Sequence, residues 1–354
     1  MNSLRLPGSG RLGKPGPGGD KDSTPEAKDR VVQQTDQDAS QSRLSAVETG
    51  YLQDPFASVF VSGGVQRKLP LINRGTYVRT TAIDKLVNSF INSSQTKQIV
   101  SLGAGSDTRY FRIKSTNPTA ASSLIYHEFD FAAVTSRKIA SLLKGEPSLA
   151  ASMLADPALF VDAPAGSLTS PSYYIHPLDI RSLRPGCALP VGIDKSLPTL
   201  FISECCLIYL APAEADNILK WITQDFTSSV GLVLYEPIGG EDAFGKVMIQ
   251  NLAARGIVLK TLKKYSSLER QKERLRILGF SKGQDAADVD FIHDNWMDEG
   301  EKERIAKLEM LDEMEEWQLL ARHYCVAWGW RDGGSEDSFS GWEGVWPAQK
   351  YSKI

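Results

Sequence analysis

The chain is short of cysteine, histidine and positive charge. Its four cysteines, at 187, 205, 206 and 325, form no C-x-x-C pair and no ladder of spacings. That argues against a disulfide scaffold or a zinc site and fits a reducing compartment. Four histidines (127, 176, 293, 323) are scattered among 354 residues; they read as ordinary packed or surface side chains, and no metal is expected. The formal net charge of −3 leaves no basic excess, so nucleic acid is not expected as a partner. No apolar run approaches the ~18 residues a membrane span needs, and the first thirty residues lack the apolar core of a secretory signal. The expectation is a soluble cytoplasmic protein, with the nucleus as a second compartment, and no membrane partner.

What is present is a chain 42% hydrophobic and 23% charged, ample for one large α/β domain. Residues 1–40, rich in Gly, Pro, Ser and charge, cannot bury enough surface to offset their ordering entropy and are expected to be a disordered tail. A single domain is expected over 41–332, with a flexible tail over 333–354. Order begins where Leu44, Val47, Tyr51 and Leu52 recur at helical spacing. Strand and helix signals then alternate, which predicts a mainly parallel sheet covered on both faces. A helix carries Ile83, Leu86, Val87, Phe90 and Ile91, and the strand "IVSLGAG" follows. Further strands are expected at 123–131 ending in Asp130, at 173–180 ending at Asp179, and at 198–210 with Glu204 in its middle. A helix with Ile218, Leu219, Ile222 and Phe226 leads to a strand at 230–237, and helices reach Gly256 and Gly279. One long acidic helix is expected from about 301 into a strand near Tyr324–Trp328. The Asp/Glu run over 298–316 reads as its solvated face.

The turn Gly103-Ala104-Gly105-Ser106-Asp107-Thr108 carries the chemistry. Dinucleotide sites favour G-x-G-x-x-G, and the third glycine is missing; no Gly-Lys-Ser/Thr follows, so a P-loop is excluded. A shorter G-x-G after the first strand, with an acid at the end of the second, suits a sulfonium cofactor that has no pyrophosphate to cradle. Asp130 could accept bonds from both ribose hydroxyls, or could instead cap the helix that follows. Asp179 could accept from an adenine amino group. Glu204, in an apolar strand, needs a partner, because an unpaired buried charge is costly.

The stretches "INRGTYVRT", "IVSLGAGSDTRYFRI", "FDF", "PTLFISECCLIYL", "SLERQKERL" and "LDEMEEWQLLARHYCVAW" occur in order. With them the chain resembles the leucine carboxyl methyltransferases from about residue 36 to about 330. The resemblance implies a Rossmann-like S-adenosylmethionine-dependent methyltransferase sheet, mostly parallel with a C-terminal antiparallel strand. It also implies a helical substrate-recognition lid, placed at about 41–80 and 240–280. The implied reaction is methylation of the C-terminal leucine α-carboxylate of the protein phosphatase 2A catalytic subunit, by a monomer. Position by position, Arg79 looks like the arginine that meets a carboxylate, Tyr209 like the tyrosine near the acceptor, and Gly103 and Gly105 like the glycines beside the cofactor. Asp130 looks like the ribose acid, Asp179 and Ile180 like the adenine pair, and Glu204 like the acid near the methionine end. Arg43 falls where relatives can carry a lysine. Since a carboxylate acceptor arrives ionised, no Ser/His/Asp or Cys/His constellation is required, and none is evident. The competing readings are an O-methyltransferase of small molecules, a non-catalytic phosphatase-binding protein and a nicotinamide oxidoreductase.

Overall fold

The computed structural model describes residues 24–92, 95–145, 147–154, 156–333, 338–344 and 346–350. Nine strands form one sheet: β1 (Lys97–Leu102), β2 (Leu124–Asp130), β3 (Phe160–Asp162), β4 (Ser167–Thr169), β5 (Tyr173–Pro177), β6 (Thr199–Glu204), β7 (Val230–Pro237), β8 (Gly283–Asp288) and β9 (Tyr324–Arg331). Their order is β3-β4-β5-β2-β1-β6-β7-β9-β8. The five strands from β5 to β7 are mutually parallel, and antiparallel pairs extend both edges. All six residues of β1 and all eight of β7 are buried, as strands covered on both faces require. Alternation splits the apolar side chains between two cores. Ile99 packs with Ile83, Leu86, Phe90 and Trp317 on one face; Val100 and Leu102 pack with Ile218, Trp221 and Leu275 on the other.

The register aligns the C-terminal ends of the parallel strands. Leu102 lies opposite both Phe129 and Ser203, Asp130 opposite Pro177, and Glu204 opposite Tyr235. From β1 the chain runs outward through β2 to β5, then returns to β6 on the other side. That reversal opens a crevice above β1 and β6, where ligands of open α/β sheets bind.

Several elements differ from the sequence expectations. Helix α1 spans Pro25–Glu48 with Thr24 as its cap, so residues 24–40 are ordered as helix rather than tail; residues 1–23 lie outside the described residues. Polar contacts to the sheet's loops anchor this half of α1, which an apolar count does not register. The C-terminal segment is likewise packed where described. Phe339 stacks on Phe90 with centroids 4.8 Å apart, and Trp342 donates its Nε1–H to the Leu86 carbonyl at 3.1 Å. Of the expected lid segments, helix α2 (Pro70–Ile91) is a core-covering helix, with Val78, Ile83 and Leu86 fully buried. Helix Leu268–Ile277 packs through Leu275 against Gly329 of β9, whereas helix Ala243–Ala253 is mostly exposed. The acidic helix is broken into Glu299–Ala306 and Met314–Arg322. Between them Glu309 turns inward and accepts from Asn73 (2.9 Å) and Arg67 (3.0 Å), so this carboxylate is not on a solvated face.

Candidate active site

At the end of β1 the backbone turns through two left-handed glycines, Gly103 (φ 66°) and Gly105 (φ 50°). A Cβ on Gly103 would lie 2.4 Å from the Cys206 Sγ, and one on Gly105 would lie 2.4 Å from an Asp36 carboxylate oxygen. Both glycines are therefore required by conformation and by space. Asp130, the last residue of β2, reaches across. Its Oδ2 accepts the Gly105 N–H at 2.8 Å and its Oδ1 accepts the Phe131 N–H at 2.7 Å. Phe131, not Asp130, is the cap residue of helix Ala132–Leu142, and it makes no side-chain cap bond. Burial pushes the Asp130 carboxyl up to about 6, against the lowering effect of the two backbone donors.

Two adjoining cavities open over this loop. The first, about 190 Å³, is lined by α1 (Thr35, Asp36, Ser40, Arg43), the loop, Asp130, Arg79, Glu204 and Tyr209. The second, about 230 Å³, shares Gly103, Asp130, Phe131 and Tyr209 and continues to Asp179, Ile180, Leu210 and Val258. Arg43, Arg79, Gly103, Gly105, Asp130, Asp179, Ile180, Glu204 and Tyr209 thus all border one continuous cleft.

The polar end is a charged cluster. Glu204 closes β6 rather than sitting in mid-strand, and it is partnered twice: Arg109 Nη2 donates to Oε1 at 2.8 Å, and Arg79 Nε lies 3.2 Å from Oε2. The Arg79 contact lacks hydrogen-bond alignment, so it is an ion pair, and the guanidinium lies over the Tyr235 ring at 5.1 Å. Burial works against the Arg79 charge, but Glu204, Tyr235 and Cys205 together more than offset it and keep the group protonated. Arg43 is committed elsewhere: its Nε pairs with Asp54, and its Nη1 donates to Thr80 at 3.4 Å. The turn after β6 passes through Cys205 at φ 51°, a left-handed non-glycine residue that carries strain. It swings Cys206 onto Gly103 and brings Tyr209 over the cleft. Burial raises the Tyr209 hydroxyl well above its ordinary range, so it stays protonated as a donor.

At the other end Asp179 caps residues 180–182 and accepts from the Arg181 N–H at 3.0 Å. Its carboxylate is also taken by the Arg181 guanidinium, which makes a bidentate pair with Asp29 of α1 at 3.0 and 2.7 Å. Together with the Asp36 carboxylate that accepts the Ser106 N–H at 2.7 Å, this pins α1 across the cleft.

The residues fit S-adenosylmethionine. Each Asp130 oxygen has a lone pair left over for a ribose hydroxyl. The apolar slot of Leu178, Ile180, Leu210 and Val258 suits an adenine, and Arg79 has donors left for a carboxylate. Sequence reasoning missed Asp36, Arg109 and Arg181. Arg109 and Arg181 sit beside residues already singled out, at Asp107 and Asp179–Ile180. Asp36 sits in a segment whose composition hides its helix.

Comparison with known proteins identifies the family. The family model "Leucine carboxyl methyltransferase" matches residues 31–223. A protein of Aspergillus fumigatus named leucine carboxyl methyltransferase 1 is 51% identical over 387 residues, covering 98% of this chain and 96% of the relative. One of Emericella nidulans is 50% identical over 371 residues (97% and 95%), and one of Schizosaccharomyces pombe 45% over 297 residues (83% and 93%); both carry the same name. The chain belongs to the leucine carboxyl methyltransferase family, and it is an S-adenosylmethionine-dependent enzyme that methylates a leucine carboxyl group.

Proposed function

We propose that the acceptor is the α-carboxylate of the C-terminal leucine of the protein phosphatase 2A catalytic subunit, and that it enters at the Arg79 end of the cleft. The observation that carries this reading is Arg79 itself. It is a protonated guanidinium on the cavity wall that makes no aligned hydrogen bond to another described residue; it lines the same cavity as Tyr209, whereas the apolar slot belongs to the adjoining cavity.

The chemistry asks little else of the protein. A C-terminal carboxyl has a reference pKa of about 3.3–3.7 and arrives ionised, so no residue need remove a proton. S-adenosylmethionine supplies an activated methyl group on a sulfonium. Asp130 and the Leu178–Ile180 slot fix the nucleoside part. Arg79 and the Tyr209 hydroxyl orient the acceptor carboxylate, and α1 covers the cleft and excludes water. Orientation of this kind is worth about 7–11 kcal/mol. The setting is the reducing cytoplasm, which suits four free cysteines. A C-terminal tail offers few contacts, so the exposed helix Ala243–Ala253 would also meet the body of the phosphatase.

The test is transfer of radiolabelled methyl to the intact catalytic subunit and to a version lacking its terminal leucine. Base-labile label on the intact protein alone is expected. Label on both, or on neither, would refute the assignment.

A further inference from the structure

Arg109 opens helix α3 (Arg109–Thr116) directly after the glycine loop. It does not line either cavity and is 2% exposed. Its guanidinium holds three carboxylates on three different walls: Asp84 of α2 at 3.0 Å, Asp107 of the loop at 2.7 Å, and Glu204 at the end of β6 at 2.8 Å. Nε, Nη1 and Nη2 each take one carboxylate; the planar fork of arginine spreads its donors over three nitrogens, whereas a lysine presents its three donors from a single point.

We propose that Arg109 is a positioning residue that keeps Arg79 available to the carboxylate entering the cleft, by holding Glu204 away from a full bidentate pair with it. This inference rests on the reading of Arg79 given above. Glu204 is shared: Oε1 takes an aligned bond from Arg109, while Oε2 makes only a misaligned ion pair with Arg79. Without the Arg109 fork, Glu204 is free to rotate onto Arg79 and form the two parallel bonds that arginine and carboxylate prefer. Those bonds would consume the donors that face the cavity. Asp107 and Asp84 fix Arg109 in turn, so the loop geometry and the aim of Arg79 are set by one side chain.

The test is a double-mutant cycle between Arg109→Lys and Arg79→Lys. Its readouts are the dissociation constant of S-adenosylhomocysteine and the KM of the phosphatase catalytic subunit. Arg109→Lys keeps the buried positive charge, so it preserves the fold where Arg109→Met could fail to. Arg109→Lys is expected to raise, by at least tenfold, whichever constant Arg79→Lys raises. The two effects should be non-additive, because both act through one guanidinium. Glu204→Gln added to Arg109→Lys should recover part of the loss, since an amide no longer captures Arg79. Additive effects, or an Arg109→Lys protein within twofold of wild type on both constants, would overturn the inference while leaving Arg79 in place. If Arg79→Lys itself shifts neither constant, the reading of Arg79 fails and the inference with it.

Discussion

Asp130→Asn separates cofactor binding from folding more cleanly than any other change in the cleft. The wild-type carboxylate accepts the Gly105 and Phe131 N–H groups, one on each oxygen, at 2.8 and 2.7 Å. An asparagine can satisfy one of those donors. Its amide NH₂ then faces the other, donor against donor, and it offers the ribose at least one charge-assisted bond fewer. Such a bond is worth about 1.5–3 kcal/mol, so the dissociation constant of S-adenosylhomocysteine should rise roughly 10- to 150-fold. Stability should move the other way with pH. Burial raises this carboxyl from 3.8 to about 6. Its contribution to the fold is therefore complete below about pH 4 and is lost as pH rises through about 6. The difference is at most about 3 kcal/mol, and less because the residue is partly exposed. The variant has no such loss, so its melting temperature relative to wild type should be higher at pH 8 than at pH 5. Wild-type affinity should also fall as pH drops through about 6, while the variant's stays comparatively flat. Glu128, pushed up to about 7 by burial, titrates alike in both proteins, and His176, lowered to about 4 by burial, lies below the window. Calorimetric titration across pH 5–8 reads the affinities, and thermal unfolding at the same pH values reads the melting temperatures. A variant with a dissociation constant within twofold of wild type would remove Asp130 from the cofactor site.

Arg79→Ala should lose at least a hundredfold in turnover with the fold intact, because Glu204 keeps Arg109 as a partner; methyl-transfer kinetics beside circular dichroism check it. Gly103→Ala places a Cβ 2.4 Å from the Cys206 Sγ and 2.9 Å from its Cβ, at φ 66°. Cofactor affinity should fall more than tenfold, and Cys206→Ala should not restore it, because the second clash and the backbone strain remain. Trp342→Ala removes a 2% exposed side chain packed on Trp330 and Phe339, which should cost about 3–5 kcal/mol in urea unfolding; an unchanged midpoint would mean that the C-terminal segment does not support the core.

The parallel strands were legible because burial on both faces writes itself as continuous apolar runs, and their acidic ends stood out against those runs. That legibility covered the cleft: every residue singled out for the site borders it. It failed where order comes from something other than apolar surface. The first half of α1 is fixed by carboxylates, Asp29 on Arg181 and Asp36 on the Ser106 N–H, and it has few large apolar side chains to announce it. Strand β8, "GQDAAD", has no apolar run; it pairs with β9, and the Trp330 ring covers Gly283 so closely that a Cβ there would lie 2.2 Å away. The break in the acidic helix depends on one inward carboxylate, Glu309, whose partners lie more than 230 residues away in sequence. Helical periodicity cannot see such a contact.

The charged end of the cleft has a balance that suits the reaction. Arg43, Arg79, Arg109 and Arg112 are linked to Asp54, Asp84, Asp107 and Glu204 in one chain of ion pairs, four charges of each sign. Burial alone would neutralise such groups. For Asp84 burial does push upward, but Arg112 and Arg109 more than reverse it and hold the carboxyl well below the usual range. Counted formally, the four arginines and four carboxylates of the cluster sum to zero. Methyl transfer from a sulfonium to a carboxylate brings opposite charges together and removes both, so its transition state is less charged than its ground state. A site with excess positive charge would stabilise the acceptor carboxylate more than the transition state, and an excess of negative charge would do the same for the sulfonium; either is binding that slows the step. A neutral cluster orients both partners through local hydrogen bonds without a net field that favours the reactants.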